Sequence, residues 1–332
     1  MLKTLQGLPL EPPAFAWAKS KSTEGKVHDW IQSVERLDGK VDSEWDVVFF
    51  GVPLSRSSIS ASGASEFPDA FRKSWKGFST YNLDEEVDLE SLNVLDIGDV
   101  AMHFTDITKC HSNILETMEG VSKNFSRSMI SAIGGDHSIT AMLVKGIREA
   151  FPEESIGILQ LDTHFDLRDL KSHGPTNGTP IRNLIESNSV RGENVHNIGL
   201  HGFFNTKSLV DYAKKEGLNF TTMRNARRQG IVNTVQNALE SLAENVDRIH
   251  LTVDMDVLDI AGAPGVPAST PGGMLTDELF QAVFHAGIHP KVKSMDIVCL
   301  DPTKDHQAQP TVKAGTHVFL SFLSGYCKRG EK

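Results

Sequence analysis

Short apolar runs alternate along the chain with longer segments in which apolar residues recur every three or four positions. The runs at 46–54 (DVVFFGVPL), 92–100 (LNVLDIGDV), 128–135 (SMISAIGG), 155–162 (SIGILQLD), 195–202 (VHNIGLHG), 248–257 (RIHLTVDMDV) and 293–301 (KSMDIVCLD) predict strands, with a weaker one at 218–223. Amphipathic helices are predicted between and after them, at 106–125, 139–151, 207–217, 231–246, 276–287 and 307–326. The strand stretches are unbroken Val/Ile/Leu runs rather than alternations of apolar and polar positions. Strands of that kind are buried on both faces, which argues for a mostly parallel sheet of about eight strands covered by helices on each side. One α/β domain over residues 41–328 is therefore expected, with residues 1–40, Pro-rich and then charged, packed on its outside as an extension. A closed barrel is the alternative architecture, but it requires a more regular helix after every strand.

Composition narrows the partners. The 332 residues carry 33 Lys and Arg against 43 Asp and Glu, a formal charge of −10, which excludes a general nucleic-acid binder. The three cysteines, Cys110, Cys299 and Cys327, form no C-x-x-C pair and suggest neither a zinc ribbon nor a disulfide framework. The first 25 residues have no apolar signal core, and no 18-residue apolar stretch occurs, so a soluble cytoplasmic protein without a membrane partner is expected.

The picture changes where the apolar runs stop. "GILQLDTHFDLRD" (157–169) ends a strand pattern with Asp162, His164 and Asp166 at a spacing of two. "AIGGDHSIT" (132–140) ends another with two glycines, Asp136 and His137, and "HLTVDMDVLD" (250–259) ends a third with Asp254 and Asp256. Alternate residues of a strand share a face, and ligands of parallel α/β sheets sit beyond the carboxyl ends of the strands. The three clusters can therefore meet in one crevice. Singly, each has a structural explanation, such as a glycine turn with a capping Asp or a loop rim. Together they crowd carboxylates that would repel and take up protons unless multivalent cations neutralised them. Carboxylates with imidazoles and no thiolate suit a hard-to-borderline ion such as Mn²⁺, and the set is about right for two ions with bridging carboxylates, which activate water near neutral pH.

"GGDHS", "DTHFD" and "TVDMDVLD" resemble the signature blocks of the ureohydrolase (arginase/agmatinase) superfamily, and the resemblance covers residues 45–325. It implies a three-layer α/β/α fold around a mostly parallel sheet, and hydrolysis of a guanidino or amidino carbon with water activated by two Mn²⁺ ions per subunit. It also implies a homo-oligomer, commonly a trimer or hexamer. Carried over by position, it implies one metal on His137, Asp162, Asp166 and Asp254, and the other on Asp162, His164, Asp254 and Asp256. Asp162 and Asp254 would bridge, and Asp166 is the implied catalytic proton carrier.

Within the superfamily, "HGPTNGTPIRNL" (173–184) is most similar to the formimidoylglutamase branch, because Asn177 stands where arginases and agmatinases carry a His. "DVLDIAGAPGVPASTPGGMLTDELF" (256–280) and Arg168 resemble the same branch. The implied reaction is hydrolysis of N-formimidoyl-L-glutamate to L-glutamate and formamide, a step of histidine degradation, with Glu278 catalytic and pairing with the cationic nitrogens of the substrate. A substrate carrying two carboxylates invites bidentate arginines. Arg168 and Arg182 are candidates, Arg182 being equally readable as a surface salt-bridge residue, and Asn177 completes the candidate substrate-binding set. Two rival readings remain: another amidinohydrolase, acting on agmatine, guanidinobutyrate or arginine, and a catalytically silent superfamily member. Cys299, where the family commonly carries Glu, reads as a small hydrophobe on a buried strand.

Overall fold

In the computed structural model, residues 5–18, 24–34 and 44–329 are described, and the expected boundary between residues 40 and 41 lies outside them. The strands in chain order are β1 (Leu10–Glu11), β2 (Gln32–Ser33), β3 (Val47–Gly51), β4 (Tyr81–Asn82), β5 (Val87–Asp88) and β6 (Val94–Val100). They continue with β7 (Met129–Ile133), β8 (Ile156–Leu161), β9 (Val195–Leu200), β10 (Asn219–Thr222), β11 (Arg248–Asp254) and β12 (Val292–Val298). Among the described residues, ten of them form one sheet in the order β1-β6-β3-β7-β12-β11-β8-β9-β10, with β2 also on β6, while β4 and β5 pair separately. Every pairing in the large sheet is parallel except that of β1 with β6.

Each of the eight predicted strands is present, and β1 and β2 come in addition from the N-terminal segment expected to lie outside the domain. At two residues each they are too short to leave a periodic signal. The central strands β3, β7, β8 and β11 are buried along their whole length, as their unbroken apolar pattern requires. Helices at Ile107–Asn124, Ser138–Ala150, Lys207–Lys215, Ile231–Ala243, Thr276–Ile288 and Pro310–Cys327 match the predicted amphipathic segments. Phe49 on β3 stacks edge-on against Phe71, Trp75 and Phe319, at centroid distances of 5.9, 5.9 and 5.5 Å, and joins the sheet to two helices. Each such pair contributes about 0.5–1.5 kcal/mol beyond the area it buries.

Two features of the sheet position the site. Consecutive strands β7 and β8 are not neighbours, since β12 and β11 lie between them. Their carboxyl ends are also level: Ile133 faces Ile297, Asp254 faces Val298, and Val253 faces Leu161. The turns that follow β7, β8 and β11 therefore rise from one rim at the centre of the sheet, where such folds bind ligands.

Candidate active site

The turn after β7 depends on its glycines. Gly134 and Gly135 have φ of 96° and 82°, in the left-handed region. A Cβ on Gly135 would lie 2.7 Å from the Val52 carbonyl oxygen, and one on Gly134 2.6 Å from Pro68 Cδ. The turn delivers His137 to the start of the helix Ser138–Ala150 with its ring fully buried. Asp136, the residue between, is spent on structure: its carboxylate accepts from the backbone N–H groups of Ser57 and Ser138 at 3.2 and 3.0 Å.

The stretch after β8 corrects the expectation of a pleated strand end. β8 stops at Leu161, and residues 162–166 form a bent loop in which Asp166 has a left-handed backbone, φ 54°. Side chains hold this loop. Asp162 Oδ1 accepts from His164 N at 2.6 Å, Asn197 Nδ2 donates to His164 O at 2.7 Å, and Asn205 Nδ2 donates to Thr163 O at 2.9 Å. Thr163 Oγ1 donates to Asp256 O at 2.9 Å and ties the loop to the turn after β11. The ligand residues converge, but through anchored loops rather than through strand alternation.

His137 Nδ1 lies 2.7 Å from Asp166 Oδ2, 3.0 Å from Asp254 Oδ2 and 3.3 Å from Asp162 Oδ2. Despite these distances it has no partner in hydrogen-bond geometry and is an orphaned buried nitrogen. An imidazole nitrogen without a hydrogen bond, among three converging carboxylates, is the donor set of a cation site. His137, Asp162, Asp166 and Asp254 each present an atom within 4.8 Å of the others, and so does a second group of Asp162, His164 and Asp256. In the second group, His164 Nδ1 lies 2.9 Å from Asp256 Oδ2. Asp254 is in the first group, and its Oδ1 accepts from Asp256 N at 2.9 Å. Asp162 is common to both groups.

Without cations, four of these groups are shifted toward their protonated forms. Burial alone would lower His164, but Asp256 and Asp162 raise it to about 12. His137 is likewise raised well above its ordinary value, by Asp166 first, against burial. Burial and the charge of Asp162 lift Asp166 to about 6, and burial with Asp254 lifts Asp256 well above the carboxylate range. Burial disfavours the charge of Asp162 too, but the two neighbouring histidines hold it below its usual value.

A cavity of 160 Å³ opens over the group, lined among others by His164, Asp166, Asp254 and Asp256 together with Arg168, Asn177 and Ser60. Arg168 is exposed at its wall, its Cδ packed against Gly178, where a Cβ would lie 2.8 Å away. Among the described residues no carboxylate pairs with its guanidinium. Asn177 also lines the cavity, but its Oδ1 accepts from Ile59 N at 2.9 Å and its N–H donates to Ser57 O at 3.2 Å. It therefore clamps the loop that carries Ile59 and Ser60.

Two further candidate substrate residues engage other side chains. Arg182 pairs with Glu186 at 2.7 Å and Asp169 at 3.3 Å and stacks over Tyr212, which is the surface salt-bridge alternative. Glu278 is held by the Arg227 fork, with both of its oxygens at 3.0 Å, and accepts from Leu275 N at 2.8 Å, capping the helix Thr276–Ile288. Neither lines the cavity. Cys299 lies just past β12 with φ 67°, and burial and Asp254 push its thiol well above its usual value. Sequence reasoning missed the wall residues Ile59, Ser60, Phe204 and Asn205, which stand on loops without a periodic signal.

Comparison with known proteins places this geometry. A profile of the arginase family matches residues 45–325. The chain is 43% identical over 277 residues to the formimidoylglutamase of Halalkalibacterium halodurans, covering 83% of this chain and 86% of that one. It is 38% identical over 275 residues to the formimidoylglutamase of Bacillus subtilis, covering 83% and 85%. The crystal structure of formimidoylglutamase from Bacillus subtilis superposes with a TM-score of 0.87 at 34% identity, over 97% of this chain and 98% of that one.

Proposed function

This chain belongs to the arginase family, and from that premise we propose that it hydrolyses N-formimidoyl-L-glutamate to L-glutamate and formamide, in histidine degradation. The observation that carries the reading is the pairing of an acidic, histidine-bearing floor with the unpaired guanidinium of Arg168 across one cavity. The floor fits cations, and the wall fits a carboxylate. Similarity to formimidoylglutamases at 43% and 38% identity supports the same substrate.

The donor set of carboxylates and imidazoles suits two Mn²⁺ ions, which when bound supply a water of lowered pKa and a Lewis acid. His137, Asp162, Asp166 and Asp254 would hold one, and Asp162, His164 and Asp256 the other. The chain itself supplies orientation and proton handling. Arg168 takes a substrate carboxylate by a bidentate pair and aims the formimidoyl carbon at the floor. Asp166 faces the cavity, where its carboxylate can exchange a proton with the substrate. It accepts the proton released as water adds to the carbon and returns it to the glutamate nitrogen as the C–N bond breaks. Formamide and glutamate leave. The family resemblance further supports a cytoplasmic trimer or hexamer, which sedimentation of the purified chain tests. Among the described residues no helix is long and apolar enough to cross a membrane.

The test is a rate panel on Mn²⁺-reconstituted protein with N-formimidoyl-L-glutamate, agmatine, guanidinobutyrate and arginine. The expected kcat/KM for formimidoylglutamate exceeds the others by about a hundredfold or more, and agmatine, which has no carboxylate to offer Arg168, is expected to be among the poorest. A guanidine as the best substrate would overturn the assignment.

A further inference from the structure

His137 has a second nitrogen, whose partners run away from the cavity into the sheet. Nε2 lies 3.0 Å from Thr252 Oγ1, and Thr252 Oγ1 donates to Asp296 Oδ1 at 2.6 Å. Asp296 Oδ2 accepts from Thr140 Oγ1 at 2.8 Å and lies 2.9 Å from His250 Nε2. The strand register builds this chain of contacts, since Thr252 stands directly opposite Asp296, and His250 opposite Ser294. Thr140, His250, Thr252 and Asp296 are each 0% exposed, and none lines the cavity.

The direction of each proton follows from donor bookkeeping. A carboxylate only accepts, so both threonine hydroxyls donate to Asp296. Burial disfavours the charge of Asp296, but His250 and Thr252 hold it below its usual range and keep it a carboxylate. Thr252 has one hydroxyl proton and has given it to Asp296. Its oxygen can then only accept from His137, which places a hydrogen on Nε2. Once the ring is neutral, Nδ1 carries the lone pair, and Nδ1 is the atom that faces Asp162, Asp166 and Asp254.

We propose that Asp296, acting through Thr252, fixes the tautomer and orientation in which His137 ligates a cation, so that both are positioning residues of the metal centre. The inference rests on the reading of the cluster as a metal site. Outer partners of this kind lock the ring of a ligating histidine and raise its basicity, and losing one costs about 10–100-fold in metal affinity.

A relay and a packing role give opposite results at position 252. Thr252→Val keeps the shape and removes the hydroxyl, whereas Thr252→Ser keeps the hydroxyl and removes a methyl. Calorimetric titration of the metal-free proteins with Mn²⁺, with melting curves alongside, is expected to show about a 10–100-fold loss in Thr252→Val and near-native affinity in Thr252→Ser. Asp296→Asn is expected to weaken binding in the same direction, because one amide oxygen cannot serve both threonines. If that variant does not fold, the Thr252 pair decides. Native affinity in Thr252→Val, or a weaker Thr252→Ser than Thr252→Val, would overturn the proposal. A wild-type chain that takes up no Mn²⁺ would overturn the metal reading itself, and this inference with it.

Discussion

The two histidines of the proposed metal centre are held in different ways. The His137 side chain is 0% exposed, comes from the turn after a central strand, and is backed by the polar contacts between β11 and β12. The His164 side chain is 27% exposed, sits on a loop, and is oriented by Asp256 with the edge of Phe204 at 6.5 Å. Four residues form the first cluster and three the second. One half of the centre is thus an outgrowth of the sheet, and the other an assembly of loops. Rigid, fully committed ligands bind more tightly than exposed ones with fewer partners, so the His137 half is expected to fill first and the His164 half to exchange.

The severest test removes what the halves share. Asp162→Asn withdraws a carboxylate from both clusters, and kcat is expected to fall by about 10³-fold or more. Metal analysis should find both equivalents depleted; retention of both at native affinity would break the shared-ligand reading. The next test separates the halves. His164→Asn should lose one equivalent and keep the other, with activity falling about 10²–10³-fold. His137→Asn should weaken both, because the first cluster also positions Asp162 and Asp166. Equal loss in the two variants would erase the distinction between sheet-built and loop-built halves.

The same distinction explains what was legible in the sequence. Unbroken apolar runs carry a strong signal, so the eight longer strands and the candidate ligands at their ends could be read directly. Asp296 also left a trace, a carboxylate inside the apolar run "SMDIVCL", although its partner Thr252 becomes apparent only once the register of β11 and β12 is known. The loops gave less. The alternation of Asp162, His164 and Asp166 suggested a pleated strand, yet Asn197, Asn205 and Thr163 bend the segment by contacts that are distant in sequence. The family resemblance carries Glu278 toward the substrate, and Arg182 reads equally as the partner of a substrate carboxylate or of a surface salt bridge. Glu186, four residues on in the same helix, is legible as a partner of Arg182, whereas Asp169 and the Arg227 that holds Glu278 become apparent only in the fold. Ion pairs between separate elements have no local signature.

The arginines sharpen this point on the loop side. Arg168→Ala should raise KM for formimidoylglutamate about 10–100-fold with little change in kcat, as a charge-assisted pair contributes roughly 1.5–3 kcal/mol. Arg182→Ala, whose pairs lie on the surface, should leave KM within about twofold. A reversed outcome would mean that Arg182 abandons its partners when substrate binds. Arg168→Lys should recover part of the loss, because the charge returns without the planar fork.

Protons provide the gentlest probe of both halves. Metal-free, His137 is raised well above its ordinary value and His164 to about 12, so each holds a proton throughout the neutral range. In the metal-free fold, His164 contributes stability that is fully present below its ordinary 6.5 and is lost as pH rises through about 12. Cation binding has the opposite sign, since the ligand nitrogens must first give up those protons. Mn²⁺ affinity should therefore rise by about tenfold per pH unit for each proton released. Near pH 6 the Asp166 carboxyl, raised to about 6, adds its own proton and steepens the loss on acidification. Titration in two buffers of different ionisation enthalpy counts the protons directly. At least one per Mn²⁺ is expected, and an affinity flat across neutral pH would mean that the imidazoles are not ligands at all. If the first equivalent bound also loses affinity more steeply below about pH 6, it resides with Asp166, in the half built by the sheet.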